Sequence, residues 1–180
     1  MKSIFETGKK ESIQDVLEGK DRRVEFQQKV FAAYPEQILV DIKMNIPGPI
    51  KNNQFIKRLY DTGIKNFETL LNNSKIDFQL IKELNKASGP ENFYLMNTTD
   101  IQVIKKISIK FEDTTSLGRL FDADVLSANR TDALSRKDLN LPVRKCFICN
   151  RPAKECARSR RHSVKELQDY ISGIYWKYFC

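Results

Sequence analysis

The sequence predicts an α/β (α+β) fold. One domain spans residues 1–180, with a mixed sheet flanked by helices and a C-terminal basic module that leads into a terminal helix. Three observations predict it. Segments with helical spacing of apolar residues alternate with segments of strand type. Hydrophobic residues make up 41% and charged residues 30% of the 180, which suits a globular chain and excludes a disordered one. The net charge of +8 is also unevenly spread: residues 144–165 hold eight Lys or Arg against Glu155 alone, and the rest of the chain is nearly neutral. Basicity so confined points to a phosphate or nucleic-acid site and not to a general surface property.

The elements follow in order. Residues 11–33 carry Ile13, Val16, Leu17, Val24, Val30 and Phe31 at helical spacing, with a break expected at Gly19 and an end at Pro35. Residues 38–44 read as a strand with Ile38, Val40 and Ile42 on one side. Two prolines around Gly48 make residues 45–51 a constrained turn. Residues 53–72 form an amphipathic helix, weakened by Gly63. Residues 76–86 alternate well enough to favour a strand over a helix. Ser88-Gly89-Pro90 is a turn, and residues 93–96 are a short apolar strand.

Residues 99–110 suit a helix, residues 119–126 a strand, and residues 134–141 a short helix stopped by Pro142. Residues 163–179 form the terminal helix, announced by the capping-box pair Ser163 and Glu166. Apolar runs such as Ile38-Leu39-Val40 fall far short of the roughly 18 residues of a membrane span. The N-terminus lacks the apolar core of a signal peptide, so a soluble, cytoplasmic protein with no membrane partner is expected.

Four motifs could carry chemistry. In the segment Leu117-Gly118-Arg119-Leu120-Phe121-Asp122-Ala123-Asp124-Val125-Leu126, a strand would put Asp122 and Asp124 on one face. Two adjacent carboxylates repel, and a counter-cation relieves them; Mg²⁺ is the natural candidate, held by carboxylates and substrate phosphates. Solvated acids on an edge strand are the plain alternative. Glu112 and Asp113 supply further carboxylates from an expected loop. The turn Pro47-Gly48-Pro49-Ile50-Lys51 could cradle an anion before a helix, with Lys51, Asn52 and Asn53 at the helix start, or could be only a rigid turn.

Cys146, Cys149, Cys156 and His162 follow the spacing C-x₂-C-x₆-C-x₅-H. They read as a structural zinc set, as reduced structural thiols, or as redox cysteines. Last, Arg158, Arg160, Arg161 and His162 stand just before the terminal helix without acidic partners. Forked guanidinium bonds and a helix N-terminus would bind phosphate there.

Taken together, five segments resemble the apo-citrate lyase phosphoribosyl-dephospho-CoA transferase (citrate lyase holo-acyl-carrier-protein synthase) family. They are residues 45–51, 117–125, 134–142, 144–146 and 156–163, in the family's order. The single-domain length resembles the stand-alone enzyme and not its fusion with a synthase. The resemblance implies transfer of the prosthetic group from 2′-(5″-triphosphoribosyl)-3′-dephospho-CoA to a serine of the acyl-carrier (γ) subunit of citrate lyase, with release of pyrophosphate. It also implies a nucleotidyltransferase-like fold in which Asp122 and Asp124 act in catalysis and hold Mg²⁺. Arg158, Arg160, Arg161 and His162 would then grip the donor's phosphates, Gly48 and Lys51 would line its site, and Arg119 would assist from the Asp strand. A third carboxylate on a later strand is not evident.

Two other readings share parts of this pattern. A zinc-ribbon nucleic-acid binder fits the cysteines and the basic run. However, Phe147 is the only aromatic residue of that run before the terminal helix, which leaves little for base stacking. A non-catalytic scaffold for an acidic carrier protein fits the charge alone.

Overall fold

The structure is a computed structural model that describes residues 2–180. Five α-helices and four β-strands run in the order α1 (Ile13–Ala33), β1 (Ile38–Met44), α2 (Gln54–Asn73), β2 (Phe78–Lys86), β3 (Gly89–Met96), α3 (Ile101–Thr114), β4 (Phe121–Leu126), α4 (Ala153–Arg158) and α5 (Val164–Phe179). No helix among the described residues is long and apolar enough to cross a membrane.

The strands form one sheet in the order β2-β3-β1-β4. All three pairings are antiparallel, where a mixed sheet was expected. The reason is topological. After β1 the chain crosses through α2 to β2 at the far edge, and the hairpin strand β3 returns between them. β1 and β2 run the same way but never pair, as in a split βαβ unit.

Alternation along the strands sorts the two faces of the sheet. Ile38, Val40, Ile42, Tyr94, Met96, Phe121, Ala123 and Val125 are buried in the main core with α2, α3 and α5. In the middle of α2, a Cβ on Gly63 would stand 2.1 Å from the Phe121 ring, so a glycine is needed for α2 to approach β4. That explains the residue that seemed to weaken the helix. The opposite face carries a smaller cluster, Val30, Leu39, Phe93 and Leu95, covered by α1 through Phe26 and Phe31.

Helix α1 is unbroken at Gly19, which faces open space. Its start is fixed by a capping box: the Ser12 hydroxyl accepts from the Asp15 amide at 3.1 Å and the Asp15 carboxylate accepts from the Ser12 amide at 2.8 Å. The apolar contacts of α1 come from its C-terminal half, and toward the middle of β1 and β4 the same sheet face turns polar with Asp41, Lys43, Asp122 and Asp124.

Some expected elements differ in detail. The β2–β3 hairpin tip is Ala87-Ser88, and Gly89 and Pro90 already belong to β3. Glu112 and Asp113 lie in the last turn of α3 and not in a loop. Arg119 lies in a 3₁₀ turn over residues 118–120 ahead of β4, not on the strand. Residues 134–141 yield only a 3₁₀ turn over residues 137–139, closed by Asn140 at φ 54°. The short helix α4 was not anticipated.

Candidate functional site

The register of β1 builds a charge cluster on the polar face of the sheet. Asp41 pairs with Asp124, and Lys43 pairs with Asp122, across β1–β4. On the other side Lys43 pairs with Glu91 of β3. Because side chains two apart share a face, four carboxylates and Lys43 come together there.

The Lys43 ammonium stands 2.7 Å from Asp124 Oδ2 and 3.9 Å from an oxygen of both Asp41 and Asp122. Arg23 of α1 reaches over the cluster. Its Nε lies 3.2 Å from Asp41 Oδ2 and also bonds Glu91. Gln27 donates to Asp41 Oδ2 at 3.2 Å. Arg144 approaches Asp122 Oδ1 at 3.6 Å and donates to the carbonyls of Arg119 (2.7 Å) and Phe121 (2.5 Å).

Burial sets the electrostatics. Asp41 is fully buried, and its Oδ1 has no hydrogen-bond partner among the described residues. Burial pushes its carboxyl well above the ordinary range, and Lys43 only partly opposes this. For Lys43, burial works against the charge, but Asp41, Asp124 and Asp122 outweigh it and hold its pKa above the ordinary lysine value.

Two clefts flank the cluster. One, of about 470 Å³, opens between α1 and the sheet. Lys20, Arg23, Lys43, Lys51, Lys82 and Lys86 line it, with Glu91 on its wall. The second, of about 390 Å³, lies against the C-terminal module. Arg144, Phe147, Arg160, His162 and Leu167 line it. Asn45, in the turn after β1, borders both clefts, so the two are neighbours across that turn.

The C-terminal module brings the cysteines and the histidine together. Their ligand atoms all lie within 4.8 Å of one another. Cys149 Sγ is 3.4 Å from both Cys156 Sγ and His162 Nε2. The His162 contact lowers the Cys149 thiol to about 6, with help from the Arg151 backbone. Burial, with the neighbouring thiols, raises Cys156 to about 11.

The sequence-predicted residues therefore separate into groups. Asp122 and Asp124 share one half-exposed face of β4, as their spacing implied. Lys51 lines the larger cleft, donates to the Ile46 carbonyl at 2.6 Å, and is lowered in pKa by burial. Gly48 has φ 82°, and a Cβ there would stand 2.7 Å from Gln168 Nε2 and 2.9 Å from Val164 Cγ1. Gly48 thus seats the turn under α5 and is not among the residues lining either cleft. Arg119 bonds the Lys145 carbonyl and stands 4.0 Å from Asp113.

Arg158, Arg160 and Arg161 are exposed on the module. Of these, Arg160 lines the second cleft, and none lines the cleft beside the aspartates. Glu112 and Asp113 are clamped by the fork of Arg136 at 2.7 Å each, so they tie the loop after β4 to α3.

Sequence reasoning missed Asp41, Lys43, Glu91 and Arg23. For Asp41 and Lys43 a signal was available. They sit at alternate positions in a strand whose other alternates, Ile38, Val40 and Ile42, are apolar. That is the same pattern by which Asp122 and Asp124 were found.

A family model described as apo-citrate lyase phosphoribosyl-dephospho-CoA transferase matches residues 11–178. A "Probable apo-citrate lyase phosphoribosyl-dephospho-CoA transferase" of Streptococcus pyogenes serotype M18 is 37% identical over 180 residues, covering 99% of this chain and 92% of that protein. A protein of the same name from Vibrio cholerae serotype O1 (strain M66-2) is 34% identical over 145 residues, covering 79% of each. "Protein CitXG" of Leuconostoc mesenteroides subsp. cremoris is 32% identical over 173 residues, covering 94% of this chain and 36% of that longer protein.

Proposed function

The chain belongs to the apo-citrate lyase phosphoribosyl-dephospho-CoA transferase family, and from that premise we propose that it completes citrate lyase by a nucleotidyl-type transfer. The donor is 2′-(5″-triphosphoribosyl)-3′-dephospho-CoA, and the acceptor is a serine of the acyl-carrier (γ) subunit. The serine oxygen bonds to the donor's α-phosphorus, the bond to pyrophosphate breaks, and the serine proton passes to a base. The observation that carries this reading is the 37% identity, across almost the whole chain, with a relative named as a probable apo-citrate lyase phosphoribosyl-dephospho-CoA transferase.

The clefts suggest how the residues share the work. A triphosphate is a strong polyanion, and Lys43, Lys51, Lys82, Lys86 and Arg23 line one cleft beside the aspartates. That cleft takes the triphosphoribosyl end of the donor. The second cleft, with Phe147, Leu167 and Arg160, takes part of the dephospho-CoA portion. Arg158 and Arg161 lie outside both clefts and act on the donor's outer phosphates or on the carrier protein. The net charge of +8 favours an acidic acceptor, and the reaction belongs in the cytoplasm with it.

The donor set fits Mg²⁺. Asp122 and Asp124 offer hard oxygen ligands on one face, and the unpartnered Oδ1 of Asp41 adds a third carboxylate from β1. When bound, the ion would supply positive charge that offsets what builds on the leaving pyrophosphate. Lys43, kept fully charged by the three aspartates, is held at the same place and can pair with a phosphate through its flexible stem.

The test is direct. The protein is incubated with apo γ subunit, donor and Mg²⁺, and the subunit is weighed by intact mass spectrometry. The expected result is a gain of one phosphoribosyl-dephospho-CoA group. No gain with active donor overturns the reading.

A further inference from the structure

We propose that Cys146, Cys149, Cys156 and His162 form a closed structural Zn²⁺ site that holds the C-terminal module in place. The Cys146 amide donates to the Arg151 carbonyl at 2.8 Å, the Ala153 amide to the Arg144 carbonyl at 2.8 Å, and Lys145 bridges Pro152. This tight loop presents Cys146 and Cys149 together. Helix α4 starts directly after it and carries Cys156 inward, the only fully buried residue between 142 and 163.

Arg160, at φ 48°, ends α4, and the Arg161 amide bonds back to the Cys156 carbonyl at 3.1 Å. The chain then reverses and delivers His162 next to Cys149. The capping box of α5 fixes the following residue: the Ser163 amide donates to Glu166 at 2.7 Å. Three separate backbone devices thus converge on one point.

The separations fit a tetrahedral ion. Zinc takes sulfur at about 2.3 Å and nitrogen at about 2.0–2.1 Å, so on one tetrahedral ion two sulfurs stand about 3.8 Å apart and a sulfur and a nitrogen about 3.5–3.6 Å, within a few tenths of an ångström of the contacts here. The two Cys149 contacts are 3.4 Å, and the whole quartet lies within 4.8 Å. A disulfide accounts for less. Its sulfurs would need to be about 2.0 Å apart, and it would leave the third thiol and His162 unexplained.

Packing gives the module only a light anchor: Phe147 stacks on Tyr170 at 5.3 Å and meets the edge of the main core. A six-residue helix is far below the length at which helices stand alone, and no apolar side chain from 142 to 163 is fully buried. Charge points the same way. Three thiolates and one Zn²⁺ sum to −1, set within the basic run that includes Arg144, Lys145, Arg151 and Arg158, and such surroundings favour thiolates. With all four positions filled by protein, the site is structural and leaves no open coordination for chemistry. Its consequence is positional. It fixes Phe147, Arg160 and the segment after Arg144 at the second cleft, beside Asp122.

The test needs no activity. The full chain, purified without added metal, is analysed by elemental mass spectrometry. About one zinc per chain is expected. It falls to background in Cys149→Ser and Cys156→Ser and persists in His162→Cys, which keeps a four-sulfur set. Replacement by Co²⁺ should give the intense visible bands of a tetrahedral thiolate site. A wild-type chain that is folded by circular dichroism yet zinc-free, with all its thiols reacting with a chromogenic disulfide as fast as the exposed Cys180, would overturn the site. So would zinc content unchanged by the Cys149 and Cys156 substitutions.

Discussion

On the sheet, Asp41, Lys43, Asp122 and Asp124 stand where strand register puts them, over a continuous core on the far face. In the C-terminal module, Cys146, Cys149, Cys156 and His162 have much less core beneath them: Cys156 is buried, and Phe147 touches the edge of the main core. Both regions crowd groups that repel or desolvate one another. The sheet tolerates this because hydrophobic alternation locks the backbone, and Lys43 and Arg23 neutralise the acids from within the fold. The module has only Phe147 against the main core, and in the site proposed above a Zn²⁺ ion would supply the missing anchor. The lesson is that one charge problem has two solutions, and each predicts a different response to perturbation.

The largest effects should separate function from folding on the sheet. Asp122→Asn and Asp124→Asn each remove one charge from a half-exposed position. Transfer to the γ subunit should fall about 100-fold or more, the scale of losing a charge-stabilising group at a reacting centre. The melting temperature should hardly move. Full wild-type activity in both variants would remove the aspartates from the reaction while leaving the family assignment intact.

The module should behave in the opposite way. Strong chelation should strip protection from hydrogen exchange in residues 144–163 while β1, β3 and β4 stay protected, since a segment with few buried apolar contacts opens locally. If exchange instead rises uniformly, the module is part of the global folding unit and the contrast drawn above is wrong.

What was legible in the sequence follows the same division. Strand β1 and helix α5 lay close to where periodicity and capping residues put them, because each buries a regular face. Asp122 and Asp124 were legible because alternation of apolar residues around them reports which side they face. Their partners Asp41 and Lys43 were not seen, although they alternate in the same way. Pairing between strands 80 residues apart in sequence is decided by tertiary register, which no local window contains. The antiparallel sheet was hidden for the same reason. The phosphate role of Arg158, Arg160 and Arg161 rested on local charge density, yet most of the cations lining the larger cleft come from α1, β1 and the β2–β3 hairpin, where they are scattered in sequence. Helix α4 was missed because six residues give too little periodicity to read.

Gly63 offers a test of the core that supports the charge cluster. Gly63→Ala improves helix propensity but drives a methyl group into Phe121, which stacks on Tyr60 at 5.7 Å. Overpacking should win, with a loss of about 1–3 kcal/mol in denaturant unfolding. Because Phe121 precedes Asp122, activity should fall with stability in this variant, unlike in Asp122→Asn. A stabilised variant would mean that α2 can shift away from β4 at little cost.

Asp41 should give the sheet a pH signature. Its folded carboxyl is raised above the ordinary 3.8, chiefly by burial, with Glu91 adding to the effect and Lys43 and Arg23 opposing it. A raised folded value means that the folded chain holds this proton more tightly than the unfolded one. The stability from that difference is fully present below pH 3.8 and is lost as pH rises from there through the folded value. Asp41→Asn should flatten this part of the stability curve measured by denaturant titration. An unchanged slope would show that Lys43 and Arg23 compensate the buried charge completely.

The smallest effect isolates the environment from the distance. Lys165 and Asp169 on α5 form an ion pair at 2.5 Å, shorter than the 2.7 Å of Lys43 and Asp124. Their side chains are 83% and 53% exposed, against 21% and 37% for the sheet pair. Water and salt screen the first pair, and ordering two long exposed side chains offsets most of its attraction. Lys165→Ala should therefore cost at most about 0.5 kcal/mol, and less at high salt. Lys43→Ala should cost several times more, because it takes from Asp124 its close partner and leaves the buried Asp41 with Arg23 as its only cation, and a buried charge that loses a partner is the expensive event. Unfolding the two variants side by side in urea measures the ratio. If the costs are equal, water reaches Lys43 as freely as Lys165, and the sheet cluster is a surface feature and not a built site.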